Sequence, residues 1–282
     1  MILIADSGST KTDWCLITHD NEIRNFQTIG MNPYFIDSEG IENELEKNLL
    51  PYVNVQLINK VFFYGSGCGS LQKRDVIREP LEGFFRLANV EVEHDLLAAA
   101  RSLCGNKYGI ACILGTGSNS CLYDGNNILE NVPSVGYFFG DEGSGAYLGK
   151  MLISSYLRDE LPDDIKKLFE IKYQYRFDYI LNAIYKQAFP NRFLASFSMF
   201  LSEQISHPYV HQLVYDAFDK FFYYQISHYT DYKNYQLSCT GSIGYQYNDI
   251  FLKVADKWKM KVSEICKTPM QGLINYHNKI SI

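Results

Sequence analysis

The first residues able to do chemistry form an acid and a hydroxyl-rich turn, Asp6-Ser7-Gly8-Ser9-Thr10-Lys11-Thr12-Asp13, directly after the apolar run Ile2–Ala5. Backbone N–H groups and hydroxyls in a Gly-rich turn at a strand end make an arrangement that cradles phosphate. A second turn of this kind, Gly115-Thr116-Gly117-Ser118-Asn119-Ser120, follows the apolar run Ile110–Leu114. Laid over each other, the two agree in glycines and hydroxyls, but Gly115 stands where the first has Asp6. Two phosphate clamps with one acid between them suit a metal–nucleotide. Asp6 would hold Mg2+, often through water, while the loops hold the β- and γ-phosphates. Either loop alone also reads as a plain Gly-Ser turn; their repetition carries the signal.

Asp95 closes the alternating segment Val90–His94 and opens the helical pattern Leu96–Leu103. Open α/β sheets place ligands at the carboxyl ends of strands. A carboxylate there can take the proton from an attacking hydroxyl; an Asp at a helix start is equally well explained as a cap. Gly140-Asp141-Glu142-Gly143-Ser144-Gly145 precedes another helix, about Ala146 to Leu157. Asp141 either accepts hydrogen bonds from substrate hydroxyls or only faces the positive end of that helix. Late in the chain, the strand Leu237–Thr240 breaks at Gly241-Ser242-Ile243-Gly244 into a helix. Such a turn lets a flat ring or a phosphate approach the backbone. No G-x-x-x-x-G-K-[ST] occurs, nor a G-x-G-x-x-G after a strand, so P-loop and Rossmann readings lack their mechanical parts. His207 and His211 read as surface histidines behind Pro208 rather than as metal ligands.

The elements that hold these turns show the same duplication. Strands are expected at Ile2–Ala5, Trp14–Ile17 and near Ile23–Phe26, after a turn at His19-Asp20-Asn21. Ser38 is placed as the cap of a helix with Ile41, Leu45 and Leu49 on one face. Val61–Tyr64 is a strand ending at Gly65-Ser66-Gly67-Cys68-Gly69, and the helical pattern after it is interrupted by Pro80. The helix after Asp95 ends at Gly105, and Asp124-Gly125-Asn126 signals a hairpin. One strand–loop–strand–turn–strand unit thus occurs twice, which predicts a duplicated α/β architecture with two lobes around a cleft. No glycine occurs from Lys150 to Thr240. That stretch, dense in Tyr and Phe and with Phe177, Ile180, Leu181 and Ile184 at helical spacing, predicts packed helices whose aromatics form core.

The chain has 282 residues, enough for two domains. Its net charge of −6 gives no support to nucleic-acid or acidic-membrane binding. The first residues do not predict a signal peptide, and no run approaches the ~20 apolar residues of a membrane span. Seven scattered cysteines, never spaced C-x-x-C, argue against a disulfide framework or zinc ribbon and for a reducing compartment, the cytoplasm.

Five segments carry a resemblance in their order along the chain: Asp6–Asp13, His94-Asp95 with the alanines after it, Gly115–Ser120, Gly140–Gly145 and Thr240–Gly244. Together they resemble the N-acetylglucosamine kinase branch of the BadF/BadG/BcrA/BcrD ATPase family, within the actin, sugar kinase and Hsp70 superfamily. The resemblance implies two actin-like (ribonuclease H-like) lobes, residues 1–107 with a tail from about 268 to 282, and residues 108–267, the second lobe carrying a helical elaboration. It implies ATP and Mg2+ as cofactors, with Asp6 as the metal acid. Ser7, Gly8, Ser9, Thr10, Lys11 and Thr12, with Gly115, Thr116, Gly117 and Ser118, would hold ATP phosphates. Thr240, Gly241, Ser242 and Gly244 would form the adenosine-binding turn. Asp95 would be the catalytic base, and Asn32, Asp95, Thr116 and Asp141 would meet the sugar. The activity implied is phosphorylation of an N-acetylated amino sugar, N-acetylglucosamine to its 6-phosphate, with no nucleic-acid or membrane partner and a homodimer as one option for assembly. Tyr137 and Phe138 lie near a place where vertebrate sugar kinases carry Trp, which bears on the exact sugar. The alternative within the family is a nucleotide-gated activator or sensor with no sugar substrate.

Overall fold

A computed structural model describes residues 1–8 and 10–280, and the side chains up to residue 278. By its internal contacts the chain divides into two units, Met1–Gly105 with the chain from Pro269 onward, and Asn106–Thr268.

The first unit is built on β1 (Ile2–Ser7), β2 (Lys11–Ile17), β3 (Ile23–Ile29), α1 (Ser38–Asn48), β4 (Lys60–Gly65), α2 (Leu71–Phe84), β5 (Asn89–His94) and α3 (Asp95–Cys104). Its sheet runs β3-β2-β1-β4-β5, with β1 antiparallel to β2 and parallel to β4. Residues alternate in side across a strand. Leu3, Ala5, Val61 and Phe63 therefore join Trp14, Ile41, Leu45, Ile77 and Leu81 in one buried core. The opposite face, bearing Asp6 and its register partner Tyr64, is the one α3 packs on.

Local details depart from the sequence expectations in instructive ways. The strands run on through the polar ends of the turns, because Ser7 still pairs with Thr12 and the backbone ladder is indifferent to side-chain polarity. The cap of α1 is Asp37, which accepts the Gly40 N–H at 2.9 Å. Pro80 sits inside α2 without breaking it. A proline there cannot donate to the carbonyl four residues back; that carbonyl, of Val76, accepts the Ser38 hydroxyl instead, at 3.1 Å.

The second unit holds β6 (Gly109–Leu114), β7 (Ser118–Tyr123), β8 (Ile128–Glu130), α4 (Gly136–Phe139), α5 (Gly145–Leu157), α6 (Asp163–Tyr173), α7 (Phe177–Tyr185), α8 (Pro190–Ser196), α9 (Ser198–Glu203), α10 (Pro208–Tyr224), β9 (Gln236–Thr240), α11 (Ser242–Gln246), α12 (Asn248–Lys257) and β10 (Lys261–Cys266). Its sheet order, β10-β9-β6-β7-β8, repeats the first: an antiparallel meander with two parallel strands added on one side. Strand β10 was not anticipated, since its burial does not alternate and a register shift falls between Val262 and Glu264. Up to β9 the glycine-free stretch is helical, and Phe169, Phe197, Phe200, Phe218, Phe221 and Phe222 are buried in one core. From there α13 (Met270–Ile280) rejoins the first unit and packs on α3. Gly272 lets the two helices touch, since a Cβ there would strike Ser102. Among the described residues no disulfide forms, and no helix is long and apolar enough to cross a membrane.

Candidate functional site

In the first unit four segments converge at the carboxyl ends of β1, β4 and β5. The β1–β2 turn closes with the Gly8 N–H donating to Lys11 O at 3.0 Å. Ser7 and Thr12 are buried and bond each other at 2.8 Å. Ser7 Oγ also accepts the Met31 N–H at 3.0 Å, and Thr12 donates to Ile29 O at 2.9 Å. These hydroxyls hold the turn in place. Gly8, Thr10 and Lys11 are the exposed part of it, and Ser9 lies outside the described residues. Lys11 pairs with Asp13 at 2.7 Å.

Asn32 is fastened to the next strand end. Its Nδ2 donates to Ser66 Oγ at 3.3 Å, and its Oδ1 accepts the Tyr34 N–H at 3.0 Å. Ser66 in turn donates its N–H to Ser7 O at 2.8 Å. Gly67 has a φ of 83°, and a Cβ on it would strike the Asn32 carboxamide. Ser66 and Gly67 were passed over as site residues. Their position at a strand end beside Asp6 was the available signal.

Asp6 and Asp95 belong to this cluster. Asp95 is the first residue of α3, whose cap position is His94, and the amides of that first turn favour its charged form. Burial raises its pKa above the usual carboxylate range. Asp6 is pushed up to about 7, first by burial, then by the negative charges of Asp95 and Asp13, with Lys11 opposing. Both keep part of their surface open, yet protein atoms surround them closely enough for burial to dominate. A carboxylate whose charge is disfavoured by burial and by neighbouring carboxylates, as at Asp6, favours a hard cation with oxygen ligands. Among the described residues no three His, Cys, Asp or Glu are grouped as a metal cage. One carboxylate fits Mg2+, which keeps waters and takes the rest of its ligands from substrate phosphate.

In the second unit three segments meet around Leu114. The turn between Leu114 and Ser118 is one residue shorter than its counterpart between Ser7 and Thr12. Thr116 is exposed, whereas Ser118 is buried and accepts Gln225 Nε2 at 3.1 Å, so again the strand-end hydroxyl is used inside the fold. The N–H groups of Gly145 and Ala146, opening α5, donate to Gly115 O at 2.8 Å and Thr116 O at 3.0 Å. Asp141, buried with a φ of 54°, sets its carboxylate against the backbone of the turn at Gly117, where the Ser118 amide and Ser134 favour its charged form. Burial raises its pKa, and Lys150 works against that. Gly241, with a φ of 119°, lies so close to Leu114 that a Cβ would strike that residue's carbonyl. Thr240 is buried, and its hydroxyl has no hydrogen-bond partner among the described residues. Such a group ordinarily meets water or a ligand. Between α5 and α10 a groove of about 450 Å³, lined by Tyr147, Arg158, Asp216 and Lys220 among others, lies apart from all these candidates.

No family model matches the chain, and no match is found among curated proteins. Among solved structures, a protein from Porphyromonas gingivalis provisionally named an N-acetylglucosamine kinase is 40% identical, with 100% of each chain covered and a TM-score of 0.95. A protein of the same provisional name from Chromobacterium violaceum is 15% identical over 98% of each chain, at a TM-score of 0.75. A ROK family glucokinase from Streptomyces griseus, solved with glucose and AMPPNP, is 13% identical over 98% of each chain, at a TM-score of 0.56. The last two bear on the fold alone, which is the actin-like α/β fold of sugar kinases.

Proposed function

The chain belongs to the family of its Porphyromonas gingivalis relative, the N-acetylglucosamine kinase-like sugar kinases, and from that premise we propose that it transfers the γ-phosphoryl group of ATP to an N-acetylated amino sugar. N-acetylglucosamine is the proposed acceptor, its 6-phosphate the product, and the BadF/BadG/BcrA/BcrD branch the finer placement. The observation that carries the chemistry is that Asp6, on β1, and Asp95, just after β5, stand at carboxyl ends of one sheet, close enough for the charge of Asp95 to act on Asp6, each raised in pKa by burial. A base works best when its pKa lies near the operating pH. Asp95 accepts the proton of the attacking hydroxyl as that oxygen bonds the γ-phosphorus and the bond to the β–γ bridging oxygen breaks, releasing ADP. Asp6 is the acid that holds Mg2+, whose charge would offset the charge on the phosphates.

In this reading residues 1–107 with the tail from about 268, and residues 108–267, are the two actin-like lobes. The exposed Gly8, Thr10 and Lys11 meet phosphate in the first, and Gly115, Thr116 and Gly117 in the second. The hydroxyls of Ser7, Thr12 and Ser118 act by shaping those turns. Thr240, Gly241, Ser242 and Gly244 receive adenosine, which would engage the Thr240 hydroxyl. Asn32, Thr116 and Asp141 meet the sugar. The enzyme works in the cytoplasm, with a homodimer as the assembly to test by sedimentation. Incubation with Mg·ATP and N-acetylglucosamine should yield one ADP per sugar phosphate, followed by coupled ADP release and mass spectrometry. ADP release that ignores every amino sugar offered would overturn this reading in favour of a nucleotide-gated ATPase.

A further inference from the structure

The stretch from Asp141 to Ala146 grips the Gly115–Ser118 turn from two sides. On one side the first two N–H groups of α5 hold the carbonyls of Gly115 and Thr116, at 2.8 and 3.0 Å. In a trans peptide unit the C=O and the N–H point in opposite directions. With those two carbonyls drawn toward α5, the N–H groups of Thr116 and Gly117 point away from it. These are the amides left to meet an anion.

On the other side stands Asp141. Its own backbone is fixed at both ends, the N–H donating to Ser134 O at 3.0 Å and the C=O accepting from Ser144 at 3.1 Å. Its carboxylate faces the Ser118 amide and Ser134, both of which favour its charged form. It lies so close to the turn that a Cβ on Gly117 would come within 2.9 Å of Oδ2. The left-handed backbone at Asp141, φ 54°, is a conformation that residues with a side chain rarely adopt. Asp and Asn tolerate that conformation better than most, through local hydrogen bonds of this kind.

We propose that Asp141 is a positioning residue for nucleotide binding: its carboxylate holds the second phosphate turn in the form that receives ATP, independently of any contact with sugar. The inference rests on reading Gly115–Gly117 as a phosphate turn, and it separates two roles that a sugar-contact assignment merges. A residue that only touches sugar leaves nucleotide affinity alone. Here removal of the carboxylate frees the Ser118 N–H and the Gly117 backbone, and the turn loses its set orientation before any sugar is present. The hydrogen-bond acceptor matters, whereas the negative charge, which opposes an incoming phosphate, does not.

Calorimetric titration with Mg·AMPPNP in the absence of sugar tests this on the whole chain. Asp141→Gly removes the side chain and is at ease at positive φ; it should bind AMPPNP tenfold or more weakly than wild type. Asp141→Asn keeps an acceptor for Ser118 and should stay within about threefold of wild type. Should Asp141→Gly fail to fold, Asp141→Ser, too short to span to Ser118, takes its place with the same expectation. Wild-type affinity in the Gly or Ser variant overturns the inference, as does an Asn variant as weak as Gly. A wild-type protein that binds no AMPPNP overturns the kinase reading along with it, and so identifies which of the two has failed.

Discussion

Two carboxylates, Asp6 and Asp95, carry the proposed chemistry, and their surroundings give each a different task. Asp95 opens α3 at the end of β5, where the first amides of the helix favour its charge while burial opposes it. Asp6 lies on β1 opposite Asp13 and is the more strongly opposed by like charge. Asp95→Asn should therefore keep nucleotide affinity while turnover falls by ~10²–10⁴, the usual worth of a general base; near-normal turnover in a folded variant would reduce Asp95 to a helix-end residue. Asp6→Asn should raise the Mg2+ concentration needed for half-maximal activity, with little effect on the melting temperature. An unchanged Mg2+ titration would move the metal acid to Asp13. These two positions could be picked out in the sequence because an acid at the end of an apolar or alternating run is a local signal, although a cap or turn explains an Asp there equally well. The tasks of Ser7, Thr12 and Ser118 could not be picked out, because their partners Met31, Ile29 and Gln225 arrive from elsewhere in the chain.

At the scale of elements, most strands and helices could be read from periodicity, and the misses share one cause. Turn chemistry marks where a chain can bend, but backbone pairing and long-range partners decide where an element stops. Thus β1 and β7 extend through polar residues, and α2 continues through Pro80. The second case makes a prediction. Val76 O lacks its helical donor at Pro80 and takes the Ser38 hydroxyl. Ser38→Ala should then cost about 1 kcal/mol, the worth of a hydrogen bond whose acceptor has no replacement. In a Pro80→Ala background the amide of residue 80 can bond Val76 itself, and the same Ser38→Ala change should cost a few tenths. A double-mutant cycle by urea unfolding measures the difference, and equal costs in both backgrounds would show that Ser38 does not serve this carbonyl. Strand β10 was missed for a further reason. Its residues Val262, Glu264 and Ile265 do not alternate in burial, so no period-two pattern existed to be found.

At the scale of the molecule, the chain leaves its first unit after Gly105 and comes back to it at Pro269. The returning α13 brings His277 under the sheet, stacked on Phe62 at 3.7 Å between ring centres and bonded to Tyr64 OH at 2.9 Å. Arg101 of α3 donates to the same Tyr64 oxygen at 2.7 Å and also pairs with Glu91. The last helix is thus wired to the helix that begins with Asp95. Burial, and then the positive charges of Arg101 and Lys60, pull the His277 pKa down to about 3. In the unfolded chain it titrates near its ordinary value of about 6.5. Between these two values the unfolded state binds the extra proton and the folded state does not, so stability falls as the pH drops below about 6.5. At pH 5 the loss from this residue is about 2 kcal/mol. His94, lowered to about 4, acts in the same direction, whereas Asp6, raised to about 7, holds its proton in the folded state and acts against it. The contribution of His277 is isolated by comparing wild type with His277→Gln, which cannot take up that proton. Hydrogen exchange of the β4 amides, which report on this unit, should show wild type losing about 2 kcal/mol more than the variant between pH 7.5 and pH 5. Parallel losses in the two proteins would mean that His277 is not what makes the first unit acid-sensitive, and that the tail joins it through packing alone.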